Sequence, residues 1–149
     1  DSTVVCKALA NGVKCLYSTS EAFAAVKDTG FVVTWGSQSA GGNSEAVEGL
    51  LAKGVRHICS TDRAFAALTC GGAVVAWGDS DLGGNSARVQ EHLFEGVAHV
   101  SSTRWAFAAL KANGSVVTWG HGDYGGNSRE VWHQLASGVR QLHSAERVF

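Results

Sequence analysis

One periodicity constrains this chain more than any other feature. Trp35-Gly36, Trp77-Gly78 and Trp119-Gly120 are each followed by a four-residue stretch and then Gly-Gly-Asn-Ser: Gly41-Gly42-Asn43-Ser44, Gly83-Gly84-Asn85-Ser86 and Gly125-Gly126-Asn127-Ser128. The spacing is 42 residues each time, with no insertion or deletion. Such a fixed period identifies a repeat array, in which each unit buries its apolar face against its neighbours. The register extends to Phe23, Phe65, Phe107 and Phe149, to Leu9, Leu51, Leu93 and Leu135, and to Ser2, Ser44, Ser86 and Ser128. Asp1 falls in the column of Asn43. The expected organisation is a single array over 1–149, with units at 1–42, 43–84 and 85–126 and a partial unit at 127–149.

Each unit predicts one short helix and three strands. For 43–54, Ser44 is the expected N-cap, Glu45 and Glu48 suit the first turn, and Gly54 suits a left-handed stop. Val47, Leu50 and Leu51 fall on one helical face. The same reading covers 2–11, 86–95 and 128–137, with Ser2, Ser86 and Ser128 as caps. Strands are predicted over 55–61, 64–69 and 73–78, with a bulge or bend between Val55 and Ile58. The hairpin between the last two turns at Gly71-Gly72, and at Thr29-Gly30 and Asn113-Gly114 in the other units. Phe65 and Ala67 point to one face of their strand, Ala66 and Leu68 to the other. A sheet apolar on both faces must be covered on both faces, and here the cover is the next unit. Trp35, Trp77 and Trp119 are expected in the core.

The run Val55-x-x-Ile58-x-Ser60-Thr61-x-x-Ala64-Phe65-Ala66-Ala67-Leu68, then Gly72-x-Val74-Val75-x-Trp77-Gly78 and Gly83-Gly84, resembles the RCC1 repeat. The likeness spans the whole chain. It implies a mainly β repeat protein of RCC1-like propeller blades, each with about three antiparallel strands and one short helix, arranged as an incomplete ring or open arc. Departures mark a divergent Trp-Gly…Gly-Gly-Asn/Asp-Ser subclass: Gly-Gly-Asn-Ser stands where the family has Gly-Gln-Leu-Gly, a helix replaces the proline-led outer strand, and Ala22, Ala64 and Ala106 stand where it has His. The ends of such an array are expected to be covered by further repeats or another chain, because bare ends expose apolar faces and strand edges.

Several chemistries are excluded or weakened. The formal charge is −1, which lacks the basic stripe of a nucleic-acid surface, so no nucleic-acid partner is expected. No apolar run reaches the roughly 18 residues of a membrane span, so no direct membrane insertion is expected. Cys6, Cys15, Cys59 and Cys70 occupy four different columns, which reads as free, mostly buried thiols rather than a zinc site. Of the histidines only His57 and His99 share a column, and no Ser/His/Asp constellation or phosphate loop can be placed. No catalytic residue, metal ligand or cofactor is therefore assigned.

The candidate site is the rim formed by loops 37–40, 79–82 and 121–124. Ser-Gln-Ser-Ala, Asp-Ser-Asp-Leu and His-Gly-Asp-Tyr vary within a constant frame, as binding loops on a rigid scaffold do. Asp79, Ser80, Asp81, Leu82, His121, Asp123 and Tyr124 are the partner-binding candidates. Trp105 and Trp132 join them as aromatic anchors, because their columns otherwise hold Glu21, Arg63 and Arg147, and Cys6, Glu48 and Gln90. The function expected is a non-enzymatic protein–protein interaction scaffold with other protein subunits as partners. The alternatives are a structural or peripheral subunit of a large complex, including an organellar membrane complex, and a calcium- or glycan-binding module using Asp79, Asp81 and Asp123.

Overall fold

A computed structural model describes residues 5–149. Among these described residues, nine strands form three separate antiparallel sheets. The first holds β1 (Val13–Ser18), β2 (Ala22–Lys27) and β3 (Val32–Gly36). The second holds β4 (Val55–Ser60), β5 (Ala64–Thr69) and β6 (Val74–Gly78). The third holds β7 (Val97–Ser102), β8 (Ala106–Lys111) and β9 (Val116–Gly120). We call these sheets blades 1, 2 and 3. The first strands β1, β4 and β7 approach one another, so the blades stand side by side in an open arc. The register breaks between Val55 and His57, and equally between Val13 and Cys15 and between Val97 and His99, where the bulge was expected.

The core lies between blades. Phe65, Ala67, Val75 and Trp77 of blade 2 pack with Ala22, Ala24, Val26 and Val32 of blade 1. Ala64, Ala66, Leu68 and Val74, on the opposite face of blade 2, pack with Phe107, Ala109 and Trp119 of blade 3. The alternation along β5 therefore sends its two faces into two different cores, which is why the strand reads as apolar throughout. The alanines let adjacent sheets close on one another, and Ala64, Ala66 and Ala67 are fully buried.

The hairpins turn on a single left-handed glycine. Gly30, Gly72 and Gly114 have φ of 79°, 78° and 81°, while the residue before each keeps negative φ. In blade 2, Gly72 N–H donates to Thr69 O and Thr69 N–H to Ala73 O, so the connection is a tight turn closed by a glycine bulge. Gly30 and Gly72 also link blades, and Gly114 links blade 3 to the segment after it: Val55, Val97 and Val139 N–H donate to Gly30, Gly72 and Gly114 O.

The helical segments are shorter than the sequence predicts. Residues 43–54 supply a 3-10 turn, Glu45–Val47, and one α-turn, Glu48–Leu51. Residues 86–95 give Ala87–Val89 and Gln90–Leu93, and among the described residues of 2–11 the helical turn is Cys6–Leu9. Residues 128–137 form turns and no helix. The serines do not cap. Ser44 and Ser128 Oγ pair with Thr34 and Thr118 Oγ1 on the outer strands, at 3.0 and 2.9 Å. Ser86 Oγ donates to Gln90 Oε1. The preceding asparagines do the turning instead: Asn43, Asn85 and Asn127 Oδ1 accept the N–H two residues on. The predicted Ser2 cap lies outside the described residues. Leu51 and Leu93 are buried, but Leu50 is exposed, because a single turn presents only one residue to the core.

Position in the arc decides burial within a column. Trp77 and Trp119 are buried, whereas Trp35 is half-buried and Phe23 is 41% exposed, since no described blade precedes the first. The cysteines are free, but Cys6 and Cys70 are exposed and Cys15 and Cys59 half-buried, so the expectation of mostly buried thiols does not hold. Cys59 Sγ donates to Val100 O, and burial pushes its thiol up to about 11. Alkylation at pH 8 should therefore modify Cys6 and Cys70 well ahead of Cys59, because the thiolate is the nucleophile. Peptide mapping after timed alkylation checks this order.

Candidate functional site

The turns 19–21, 61–63 and 103–105 and the loops 37–40, 79–82 and 121–124 lie at the same ends of their blades, because β2, β5 and β8 start where β3, β6 and β9 finish. Together they form one rim. Each loop backbone is fixed in the same way. Ser37, Asp79 and His121 N–H donate to Glu21, Arg63 and Trp105 O. Gly42, Gly84 and Gly126 N–H donate back to the carbonyls of Ser37, Asp79 and His121. Thr19, Thr61 and Thr103 Oγ1 donate to Ala40, Leu82 and Tyr124 O at 3.1, 2.9 and 2.8 Å. The same hydroxyls accept Ala22, Ala64 and Ala106 N–H. The first loop residues share one backbone conformation, with φ/ψ of −63°/124°, −62°/121° and −68°/126°.

The fourth residue of each loop belongs to this frame. Ala40 and Tyr124 are buried and Leu82 is half-buried. Only the first three side chains of each loop vary without disturbing the frame, where the sequence suggested four. The threonines carry no obvious signal beyond their shared column. Thr61→Val keeps the shape but strips a buried hydroxyl from one donor and one acceptor; it should cost about 2 kcal/mol, read from the midpoint of urea unfolding.

A second column bridges blades across the rim. Arg63 Nη2 donates to Ser39 Oγ at 2.7 Å and lies 3.6 Å from Glu21, so it ties down the loop of blade 1. Arg147 Nη2 donates to Tyr124 Oη at 2.9 Å, with its guanidinium over the Tyr124 ring, and ties the loop of blade 3. Trp105 occupies this column in blade 3 and reaches no preceding loop. Its ring lies 4.1 Å from Tyr124 and 5.3 Å from His121, centroid to centroid, and its Nε1 donates to Asp62 Oδ2. Loop 79–82 therefore receives no arginine from the unit that follows it, as the other two loops do; its arginine neighbour is Arg63 of its own blade, 3.8 Å from Asp79. Ser80 and Asp81 are exposed there, and Asp123 is exposed beside Tyr124. His121 Nδ1 is buried without a hydrogen-bond partner.

The column Ser20, Asp62, Arg104 and Glu146 forms a ladder from blade to blade. Ser20, Asp62 and Arg104 N–H donate to Asp62, Arg104 and Glu146 O, and Arg104 pairs with both Asp62 and Glu146. Sequence reading missed this column and the two tethering arginines. The alternation of acid, base and acid at the repeat spacing was the available signal.

Six of the predicted residues gather at two places that share His121. Trp105, His121 and Tyr124 form one aromatic cluster. Ser80, Asp81, His121 and Trp132 line a groove of about 1220 Å³ that runs from the rim along β9. Trp132 is 56% exposed and lies against His133 rather than the cluster. The carboxylates do not converge. Asp79 Oδ1 accepts Asp81 N–H and its Oδ2 faces Arg63 at 3.8 Å, which leaves little for a cation.

The blade pattern decides the relationship to solved structures. Residues of this chain superpose on human WBSCR16 with a TM-score of 0.53 at 18% identity, over 72% of this chain and 33% of that one. Prp20p of Saccharomyces cerevisiae gives 0.52 at 18% identity, over 75% and 31%. Yeast RCC1 (Prp20) bound to Kap60 gives 0.55 at 17%, over 85% and 34%. The chain has the RCC1-like repeat fold. It spans about a third of the length of these solved chains. No family model matches the sequence, and no curated protein matches it. The crystal structure of Prp20p is described with its binding properties to Gsp1p and histones.

Proposed function

We propose that this chain is a non-enzymatic interaction scaffold that holds a protein partner on the rim between loop 79–82 and the Trp105–His121–Tyr124 cluster. The observation that carries this reading is that no arginine of the following blade reaches loop 79–82, whose Asp79 alone faces Arg63 of its own blade. Arg63 and Arg147 pin the loops in front of them, while Trp105 leaves Ser80 and Asp81 exposed on a backbone of unchanged geometry. A rigid frame with untied polar side chains beside a flat aromatic group suits partner recognition, because little ordering entropy is lost on binding. The fold agrees with this use, since Prp20, which shares it, binds Gsp1p, histones and Kap60. No particular partner of that protein transfers to a chain of this divergence.

The test compares capture by the parent chain and by the triple variant Ser80→Ala, Asp81→Ala, Asp123→Ala, read by quantitative mass spectrometry. All three side chains are exposed, so melting should be unchanged. Loss of a defined set of partners supports the rim, and retention of the same set contradicts it. The apolar face of blade 1, with Leu16 58% and Phe23 41% exposed, favours a second reading as a structural subunit of a larger assembly. A purified chain that stays monomeric and soluble would count against that reading.

A further inference from the structure

The last strand of blade 3 is a sheet edge. Lys111 N–H donates to Ser115 O and His121 N–H to Trp105 O, so alternation turns the backbone of Val116, Thr118 and Gly120 away from β8. Val116 N–H already donates outward, to Leu135 O of the following segment. Thr118 N–H makes no backbone bond among the described residues. β9 reads Val116-Val117-Thr118-Trp119-Gly120 and lacks the charge that ordinarily protects an edge from pairing.

The groove of about 1220 Å³ runs along this edge and is positively charged. Its lining sets Arg88, Lys111 and Arg129 against one carboxylate, Asp81, at the rim end. Among the described residues none of these three cations forms an ion pair. His92 also lines the groove, 3.4 Å from Glu91. Trp132 stands 56% exposed on the far wall.

The matching depression on blade 1 carries the opposite charge. It measures about 560 Å³, runs along β3, and is lined by Glu45 and Glu48 with no lysine or arginine among the described residues. Blade 2 follows directly, yet none of its strands enters that lining. The shape of such a groove is thus independent of the strands that come after it, and the repeat does not dictate its charge. Arg129 and Trp132 stand in the columns of Glu45 and Glu48, so the positive groove is particular to blade 3.

We propose that this groove takes an extended acidic segment of a partner protein, which pairs with the edge of β9 as an added strand. The segment offers a carbonyl to Thr118 N–H, places carboxylates against Arg88, Lys111 and Arg129, and lays an apolar side chain on Trp132. Main-chain bonds give the register, and charge complementarity excludes basic or neutral segments. The inference rests on the reading of the rim as a partner site and names the chemistry of the partner where the rim continues along β9.

The probe is a synthetic peptide of about ten residues that alternates glutamate and valine, long enough to span a strand. The Thr118 amide is followed by NMR hydrogen exchange, with the Val117 amide, already turned toward β8, as reference. Saturating peptide should slow Thr118 about tenfold and leave Val117 unchanged, the effect of one added hydrogen bond. Arg88→Glu with Arg129→Glu should weaken the peptide about tenfold. Both side chains are exposed, so melting should stay that of the parent. The proposal is overturned by the absence of saturable binding at about 1 mM peptide, by an unprotected Thr118 in the bound state, or by equal affinity for a glutamine–valine peptide. Equal protection of Thr118 by a single-stranded oligonucleotide also overturns it, since charge alone would then select the ligand. Partner capture separates the groove from the rim: the arginine variant should lose the partners that the Ser80, Asp81 and Asp123 variant loses. If the arginine variant keeps them while the rim variant loses them, the groove fails and the rim stands; if both keep them, both readings fail.

Discussion

Gly83→Ala is expected to destabilise the chain by about 3 kcal/mol, through backbone strain and overpacking acting together. Gly83 has φ of 103°, outside what alanine adopts comfortably, and the new Cβ would meet the Phe107 ring at 2.5 Å. That ring is fully buried and stacked on Trp119, so it has no room to retreat. The shift in melting temperature should be about 10 °C for a chain of this size. Gly49→Ala is the contrast. Gly49 lies in the turn Glu48–Leu51 and a Cβ there meets nothing within 4 Å, so alanine should stabilise by about 0.5 kcal/mol. Urea unfolding of the two variants beside the parent reads both effects from the midpoints. Similar behaviour of the two glycines would contradict the close contact of Gly83 with the Phe107 ring.

The second large effect separates members of one column. Phe107→Ala should cost about 4 kcal/mol, the range for emptying a buried phenylalanine site. Phe107 is 0% exposed and fills the space between Gly83 and Trp119. Phe23 shares the column but is 41% exposed at the open face, so Phe23→Ala should cost about 1 kcal/mol. Sequence periodicity treats the two as equivalent, and only the arc distinguishes them. Equal costs would mean that the face of blade 1 is covered as the other blades are.

Those two residues show where sequence reading succeeds and where it stops. The repeat fixes the register of Phe, Trp and Gly, and strand alternation assigns each side chain to a face, because both follow from local geometry. The length of the helices was not legible. Ser44 looks like a cap in isolation, but its hydroxyl pairs with Thr34 on the outer strand, and Asn43 supplies the turn instead. The competition between local and tertiary partners decides such residues. In the sequence Tyr124 stands in a variable loop with nothing to mark its partners. Its carbonyl is held by Thr103, its ring stacks on Trp105, and its hydroxyl accepts Arg147, three partners from other segments. Trp105 stands out in the sequence because its column holds charged residues elsewhere, and its indole is half-buried against Tyr124.

We propose that frame and specificity are separable on this rim: the backbone bonds fix three loops alike, and the proposed partner recognition rests on the first three side chains of each. The most direct measurement transplants one loop onto another. Asp79→Ser, Ser80→Gln and Asp81→Ser together give blade 2 the Ser37-Gln38-Ser39 surface of blade 1. The affinity of this transplant for a partner captured by the parent chain is measured by calorimetry below the melting range. The account predicts melting within about 3 °C of the parent, the scale of surface changes worth under 1 kcal/mol, with binding lost. A transplant that binds as tightly as the parent, or that fails to fold, would contradict it.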